Sequence, residues 1–333
     1  MKGKSMQELL NKRIKIANLP TPIQYLPRIS DWLGAELYIK RDDLTESIAS
    51  GNKIRKLEYL LHDAQQKGAD ALITCGGVQS NHCRAVAYAA AKTGMTCVLL
   101  LRGEAPDSLQ GNLLMNRLLG AQCRFFSADR FGQLPDLFKD AGEDLKSEGR
   151  APYAIPLGGS NAIGSMGYVR MMKELREAEV DIHHLFCALG SGGTLAGILA
   201  GRQYFEFPGQ IHAIAVSDDA PYFVGEVERI RQEFADWYGV DLNFADLARQ
   251  IDDRYIGIGY SMNTASEWTE LIKFARMEGL VLDPAYTLKA FLGMVDYCRS
   301  GKVKKGERIL FIHTGGHYGL FPKAGELAPL LQD

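Results

Sequence analysis

Short apolar runs and helical periods take turns along almost the whole chain, and that alternation limits the fold more than any other feature. ELYIK (36–40), ALITC (71–75), TCVLLL (96–101), CRFF (123–126), YAIP (153–156), HLFCAL (184–189), HAIAVS (212–217) and ILFIH (309–313) each read as a strand. Between them, helical patterns predict helices over 52–66, 81–93, 108–119, 134–148, 164–178, 194–205, 223–237, 264–279 and 286–299. Apolar strands spaced by helices belong to parallel sheets covered on both faces. The class is therefore α/β, built on open, twisted, parallel-type sheets with helices on either side. A chain of 333 residues, 46% of them hydrophobic, is long enough for about two domains. The linkers are brief, so a second domain is woven in rather than strung on.

Several partner classes are excluded early. The net charge is −2 and no basic patch marks a nucleic-acid footprint. No run approaches the ~20 apolar residues of a membrane span, and MKGKSMQELLNKRIKIANLP lacks the apolar centre of a signal peptide. Cys75, Cys83, Cys97, Cys123, Cys187 and Cys298 contain no C-x-x-C pair and read as reduced thiols of a cytoplasmic protein. The histidines show no metal spacing, and the adjacent His183 and His184 point to opposite faces of a strand, so no metal is expected.

Four strand-to-helix turns are rich in Gly, Ser and Asn: CGGVQSN, PLGGSNAIG, ALGSGGTLAG and HTGGHYG. Ligands of open α/β sheets gather beyond the carboxyl ends of strands, where such turns expose backbone N–H groups. Gly190, Ser191, Gly192, Gly193 and Thr194 open a helix and suit a small phosphate group. The same turn followed by Asp218 imitates a dinucleotide site, but Leu195 stands where the third glycine belongs. In Gln79-Ser80-Asn81-His82, Ser80 or Asn81 is a natural helix cap. The alternative is a carboxylate site using the Ser80 hydroxyl, with His82 and Arg84 near enough in sequence to help. Gln79 has no obvious capping duty, which favours the site. Tyr260 and Tyr286 read either as core aromatics or as ligand neighbours.

One further stretch is odd. SGNKIRKLEYL (50–60) places Lys53, Arg55 and Lys56 in the first turn of a helix, where the macrodipole favours acidic residues. Either that end is simply solvated or something anionic or electrophilic is held against it.

Together these motifs resemble the D-cysteine desulfhydrase and 1-aminocyclopropane-1-carboxylate deaminase family, pyridoxal-phosphate enzymes of fold type II, the tryptophan-synthase-β type. The match runs through TPIQYLPRIS, YIKRDDLTE, SGNKIRKLEYL, GGVQSNHCRAVAYAAAKTGM, the 156–164 loop, GSGGTLAG, LDPAYTLKA and ILFIHTGG, in the family's order. The resemblance implies that Lys53 carries pyridoxal 5'-phosphate covalently, and that Lys56 and residues 190–194 hold its phosphate. It places Asn81 at the phenolic oxygen of the cofactor, and Ser80 at the substrate carboxylate with Gln79, His82 and Gly159 nearby. Tyr260 and Tyr286 match the two active-site tyrosines. It further implies a homodimer whose subunits divide into a small domain, 54–165, and a large one, 1–53 with 166–333. Arg55 is expected at the surface or the edge of the core.

Three departures carry information. Ser50 replaces a family glycine. Thr287 and Thr314 follow the desulfhydrase pattern, where the deaminase has glutamate and leucine. A carboxylate beside the pyridine nitrogen makes the ring a strong electron sink, suited to opening a cyclopropane, whereas a hydroxyl leaves a weaker one that suffices for expelling a β-substituent. His317, with Tyr318, suggests a different leaving group or side chain. The expected reaction is therefore β-elimination from D-cysteine, giving pyruvate, hydrogen sulfide and ammonia. In it Lys53 removes the Cα proton, a role worth about 10²–10⁴-fold, and Tyr286, with Tyr260 close by, handles the proton of the leaving thiol. L-cysteate or another β-substituted amino acid, cyclopropane opening, and remotely a nicotinamide-dependent dehydrogenase, are the rival readings.

Overall fold

The computed structural model describes residues 6–332. Ten strands form two sheets: β1 (Ile23–Tyr25), β2 (Glu36–Lys40), β3 (Ala71–Gly77), β4 (Thr96–Arg102), β5 (Gln122–Phe126), β6 (Pro152–Ala154), β7 (His184–Leu189), β8 (Gln210–Ala215), β9 (Ile251–Asp252) and β10 (Arg308–Ile312). The larger sheet has the order β1-β2-β10-β7-β8-β9 and the smaller β5-β4-β3-β6. All neighbours run parallel except β1, which pairs antiparallel with β2 at the edge.

Strand alternation explains why the central strands are apolar throughout. In β7, Leu185, Cys187 and Leu189 enter one core while Phe186 and Ala188 enter the other. In β10, Leu310 and Ile312 face the first, and Ile309 and Phe311 the second. Helices Ala162–Glu177 and Gly193–Phe205 cover the first face; Ala265–Glu278 and Thr287–Arg299 cover the other. The small sheet behaves alike, with Leu72, Leu99 and Leu101 on one side and Ile73, Val98 and Leu100 on the other. A strand buried on both faces has no polar face to show, which removes the alternation that marks half-buried strands.

Every predicted strand and helix is present, with ends shifted by a few residues. The predicted 223–237 begins earlier, at Ala220, because Asp219 caps it by accepting from the Tyr222 amide. The edge strand β1, the two-residue β9, and helices Pro27–Leu33, Leu247–Gln250 and Ala324–Leu331 were not legible, being too short to show a period. Among the described residues no helix is long and apolar enough to cross a membrane, and all six cysteines are free.

Helix Asn52–Gln66 stands between the sheets. Ile54, Leu57, Leu60 and Leu61 pack into the small-sheet core, whereas Tyr59 joins the core of the larger sheet. Arg55 is fully buried and does not lie at the surface or core edge as expected. Its guanidinium forks over Asp42 (Nε–Oδ2 2.9 Å, Nη2–Oδ1 2.7 Å) and Glu174 (Nη1–Oε1 2.8 Å, Nη2–Oε2 3.0 Å). Lys40 also pairs with Glu174 at 2.9 Å, and the Tyr168 hydroxyl donates to Asp42 at 2.7 Å. The two buried carboxylates thus meet two buried cations, and the first turn of the helix is tied to β2 and to Ala162–Glu177.

Candidate active site

The carboxyl ends of β3, β4, β7, β8 and β10 converge on the start of Asn52–Gln66. Gly51 makes the approach possible: its φ is +117°, and a Cβ there would lie 2.4 Å from the Thr314 carbonyl oxygen. The Asn52 amide donates to that oxygen at 3.2 Å, and the Asn52 side chain reaches the Thr194 hydroxyl at 3.2 Å. Two adjoining cavities result. Both are lined by Lys53, Gly190, Ser191 and Tyr286. The first adds Asn81, Gly192, Thr194 and Thr314; the second, of about 220 Å³, adds Ser80, His82, Arg102, Ser217, Asp218 and Tyr260.

Beside the first cavity, next to Ser191, lies a set of groups suited to an anion. Lys56 is 1% exposed, and its Nζ bonds to the Gly158 carbonyl and the Ser160 hydroxyl, both at 3.2 Å, with no carboxylate partner among the described residues. Burial, and then the Lys53 charge, push its pKa well down. A buried cation left without a counter-charge is costly unless an anion joins it. Close by, helix Gly193–Phe205 starts without a side-chain cap, and a Cβ on Gly193 would fall 2.9 Å from Lys56 Nζ. The Ser160 and Ser191 hydroxyls meet at 2.9 Å beside it. This donor set fits a phosphate.

In the cavity itself, burial lowers Lys53 to a pKa of about 8. Asn81 Oδ1 accepts from Arg84 and from Asn112 Nδ2 (3.0 Å), which leaves its own NH₂ as the donor free for a ligand. Thr314 supplies a hydroxyl, and no carboxylate lines this cavity. These groups fit an aldehyde-bearing, phosphorylated ring: Lys53 would be its attachment point, the Lys56 and Gly193 region its phosphate cradle, and Asn81 a donor at the ring edge.

In the second cavity Ser80 Oγ accepts from the Cys83 amide at 3.2 Å, and the same residue lines the space, so capping does not remove it from the cavity wall. The Thr74 hydroxyl donates to the Ile155 carbonyl, so His82 Nε2–H donates to Thr74 (2.8 Å) and the ring is neutral, its pKa driven down by burial and by Lys53 and Lys56. The Tyr260 and Tyr286 hydroxyls meet at 2.6 Å with edge-on rings.

Other expected residues sit elsewhere. Gln79 Oε1 accepts from the Asn112 amide and its Nε2 donates to the Gln110 carbonyl, so it latches a neighbouring helix and lines neither cavity. Arg84 turns away from the carboxylate position to bond Asn81, Asn112 and the Ser50 carbonyl, stacked on Tyr318. Gly159 lies beneath Gly158, packed on Leu60 and His82. Thr287 is fully buried; its hydroxyl donates to Asp283 Oδ1 at 2.7 Å and accepts from the Asp283 amide at 2.6 Å, so Thr314 alone of the pair faces the cavity. His317 lies behind the site, donating to the Val281 carbonyl (2.9 Å), not at a leaving group. Ser50 bonds the Asp43 carbonyl (2.8 Å) and steadies the loop before Gly51. Sequence reasoning missed Arg102, Ser217 and Phe131 as lining residues; Arg102 had a signal, because it directly follows an apolar strand at its carboxyl end.

Asp43, His313 and His317 form a cluster with ligand atoms within 4.8 Å, a grouping that spacing along the sequence does not reveal. Each already has protein partners: Arg41 forks onto Asp43, both imidazoles donate to the Val281 carbonyl, and the Gly315 amide donates to His313 Nδ1. The cluster serves as a hydrogen-bonded hub behind Thr314.

The site thus defines a pyridoxal-phosphate enzyme, and comparison with known proteins agrees. Residues 14–315 match the family model described as "Pyridoxal-phosphate dependent enzyme". A Thermotoga maritima protein named "Putative 1-aminocyclopropane-1-carboxylate deaminase" is 40% identical over 95% of this chain and 99% of its own. An Arabidopsis thaliana protein named "Bifunctional D-cysteine desulfhydrase/1-aminocyclopropane-1-carboxylate deaminase, mitochondrial" is 37% identical over 98% of this chain and 83% of its own. A crystal structure titled as that of an "ACC deaminase homologue" superposes with a TM-score of 0.89 at 41% identity, covering 98% of this chain and 99% of the other. The chain belongs to the 1-aminocyclopropane-1-carboxylate deaminase and D-cysteine desulfhydrase family of pyridoxal-phosphate-dependent lyases.

Proposed function

We propose that this lyase removes a β-substituent from a small amino acid, D-cysteine foremost, to give pyruvate, hydrogen sulfide and ammonia. One observation carries the reading. Among the described residues, the cavity that suits the cofactor is lined by Thr314, a hydroxyl-bearing residue, and by no carboxylate. Pyridoxal phosphate bound there supplies an electron sink for charge developing at Cα. A hydroxyl-tuned sink suits expulsion of a β-group, whereas ring-opening asks for a protonated pyridine.

The remaining work falls to the chain. Ser80, with backbone amides at the start of Asn81–Thr93, holds the substrate carboxylate. The Lys53 amine takes the Cα proton; its pKa near 8 leaves a larger share of free amine near neutral pH than an ordinary lysine has, and that share grows as pH rises through 8. The Tyr286 hydroxyl, oriented by Tyr260, donates a hydrogen bond to the departing sulfur. Burial raises both phenols, Tyr260 to about 12 and Tyr286 well above its ordinary value, so each keeps its proton. Such groups stabilise a thiolate by donation more readily than by full transfer.

A second reading is release of sulfite from L-cysteate. Arg102, rather than His317, is the cation on the substrate wall that favours it. The reading brings with it a cytoplasmic homodimer, whose stoichiometry sedimentation would count. The deciding experiment offers D- and L-cysteine, L-cysteate and the cyclopropane acid to purified holoenzyme and identifies the keto acid. Pyruvate from D-cysteine is expected; preferential 2-oxobutanoate from the cyclopropane acid would overturn the proposal.

A further inference from the structure

The substrate cavity ends on charges that elimination from cysteine does not use. Arg102 closes β4 of the small sheet, and Asp218 follows β8 of the large one. Among the described residues neither side chain forms a hydrogen bond or an ion pair, and both are exposed. The Arg102 guanidinium instead lies 5.9 Å from the centroid of the Phe131 ring, another lining group, and its charge reaches the Tyr260 phenol. Ser217 Oγ, on the Asp218 side, is buried without a partner. D-cysteine ends at its sulfur and has no group to offer any of them.

Opposite charges normally pair when they can. Arg102 and Asp218 are both exposed where they line the cavity, solvated in the free protein, and together they complement a group that carries both charges itself. A simple anion such as a sulfonate would satisfy Arg102 and be repelled by Asp218, and a simple amine would do the reverse. The terminal ammonium and carboxylate of an α-amino acid satisfy both, with Ser217 free to bond the carboxylate as well.

We infer that Arg102 and Asp218 are specificity-determining residues for substrates whose β-sulfur is linked to a second amino-acid unit, lanthionine-like thioethers being the simplest. Arg102 binds the distal carboxylate and Asp218 the distal ammonium. The inference rests on the β-elimination reading above. Lys53 takes the Cα proton, and the Cβ–S bond breaks with its electron pair leaving on sulfur. The resulting thiolate takes up a proton and departs as free cysteine. The remaining three-carbon unit adds one water and leaves as pyruvate and ammonia. Lanthionine plus water therefore equals pyruvate, ammonia and cysteine, with no oxidant or reductant.

The test uses holoenzyme, with the visible absorbance of the lysine-bound cofactor confirming that each variant is loaded. Keto-acid formation is measured with lanthionine, D-cysteine, L-cysteine and L-cysteate for the wild type, Arg102→Gln and Asp218→Asn. In each variant the ratio of kcat/KM for lanthionine to that for the better cysteine enantiomer should fall at least tenfold. A ratio within threefold of wild type in both variants overturns the inference. So does a uniform loss with every substrate, which would make the pair a latch across the cleft. A preference for L-cysteate that depends on Arg102 alone also overturns it, in favour of an anionic substituent. Should wild-type holoenzyme form no keto acid from any of these compounds, the elimination reading fails. The same ratio, read as calorimetric dissociation constants, then decides the charge pair by itself.

Discussion

The amines of Lys53 and Lys56 both point at the carbonyl oxygen of Gly158, at 3.5 and 3.2 Å. Among the described residues neither has a carboxylate partner, and burial holds Lys53 at a pKa of about 8. A lysine that must attack an aldehyde needs its amine unprotonated, and the ordinary value near 10.4 would leave little of it so at neutral pH. Attachment of pyridoxal phosphate to apoprotein should therefore speed up with pH through a midpoint near 8, followed by stopped-flow absorbance. A midpoint of 10 or above would show a solvated amine. Lys53→Ala should lose both the visible absorbance and the activity.

The Tyr260–Tyr286 contact predicts unequal losses. Tyr286 lines both cavities, while Tyr260 lines the outer one alone. A hydrogen bond to a charged group contributes about 1.5–3 kcal/mol, so Tyr286→Phe should lower kcat with D-cysteine by roughly 10–100-fold. Tyr260→Phe, which removes only the orienting hydroxyl, should cost less. A larger loss in Tyr260→Phe would reverse the assignment.

Arg55 shows where sequence reasoning stopped and why. Strands, helices and the Gly-rich turns announce themselves through local period and composition, and Lys53, Lys56, Ser80, Asn81 and residues 190–194 sit at fixed offsets within them. The partners of Arg55 lie 13 and 119 residues away, and nothing in SGNKIRKLEYL records them. The same holds for Gln79, whose partners come from the loop and helix start at 110–112, and for Thr287, turned inward by Asp283. Arg102 is an intermediate case: its place at the end of a strand is local information, but its sharing a cavity with Asp218 is not.

Replacing Arg55 by Leu strands Asp42 and Glu174 in the interior. Breaking a buried ion pair from one side costs about 3–5 kcal/mol, so the denaturant midpoint of Arg55→Leu should drop sharply. Arg55→Lys should recover a part of this, since a single ammonium cannot reproduce a fork over two carboxylates. A loss below about 1 kcal/mol for Arg55→Leu would mean that Lys40 and the surrounding hydroxyls suffice; that threshold is the upper end of what exposed pairs contribute.

Acid should weaken the fold through histidines held neutral. Burial is the leading cause that lowers His82, His212 and His313; His212, which donates to His184 Nδ1 at 3.0 Å while His184 donates to Glu307 at 2.9 Å, falls to about 4. The unfolded chain protonates these rings near 6.5, whereas the folded chain resists until lower pH. Their contribution is therefore complete above about pH 6.5 and is lost as pH falls from there toward 4, at up to roughly 1.4 kcal/mol per pH unit for each ring. Urea titrations across that window should show the decline. His212→Gln should flatten its slope by about one ring's share, because glutamine keeps a donor toward His184 but takes up no proton. An unchanged slope in that variant would place the acid sensitivity in His82, His313 or the carboxylates instead.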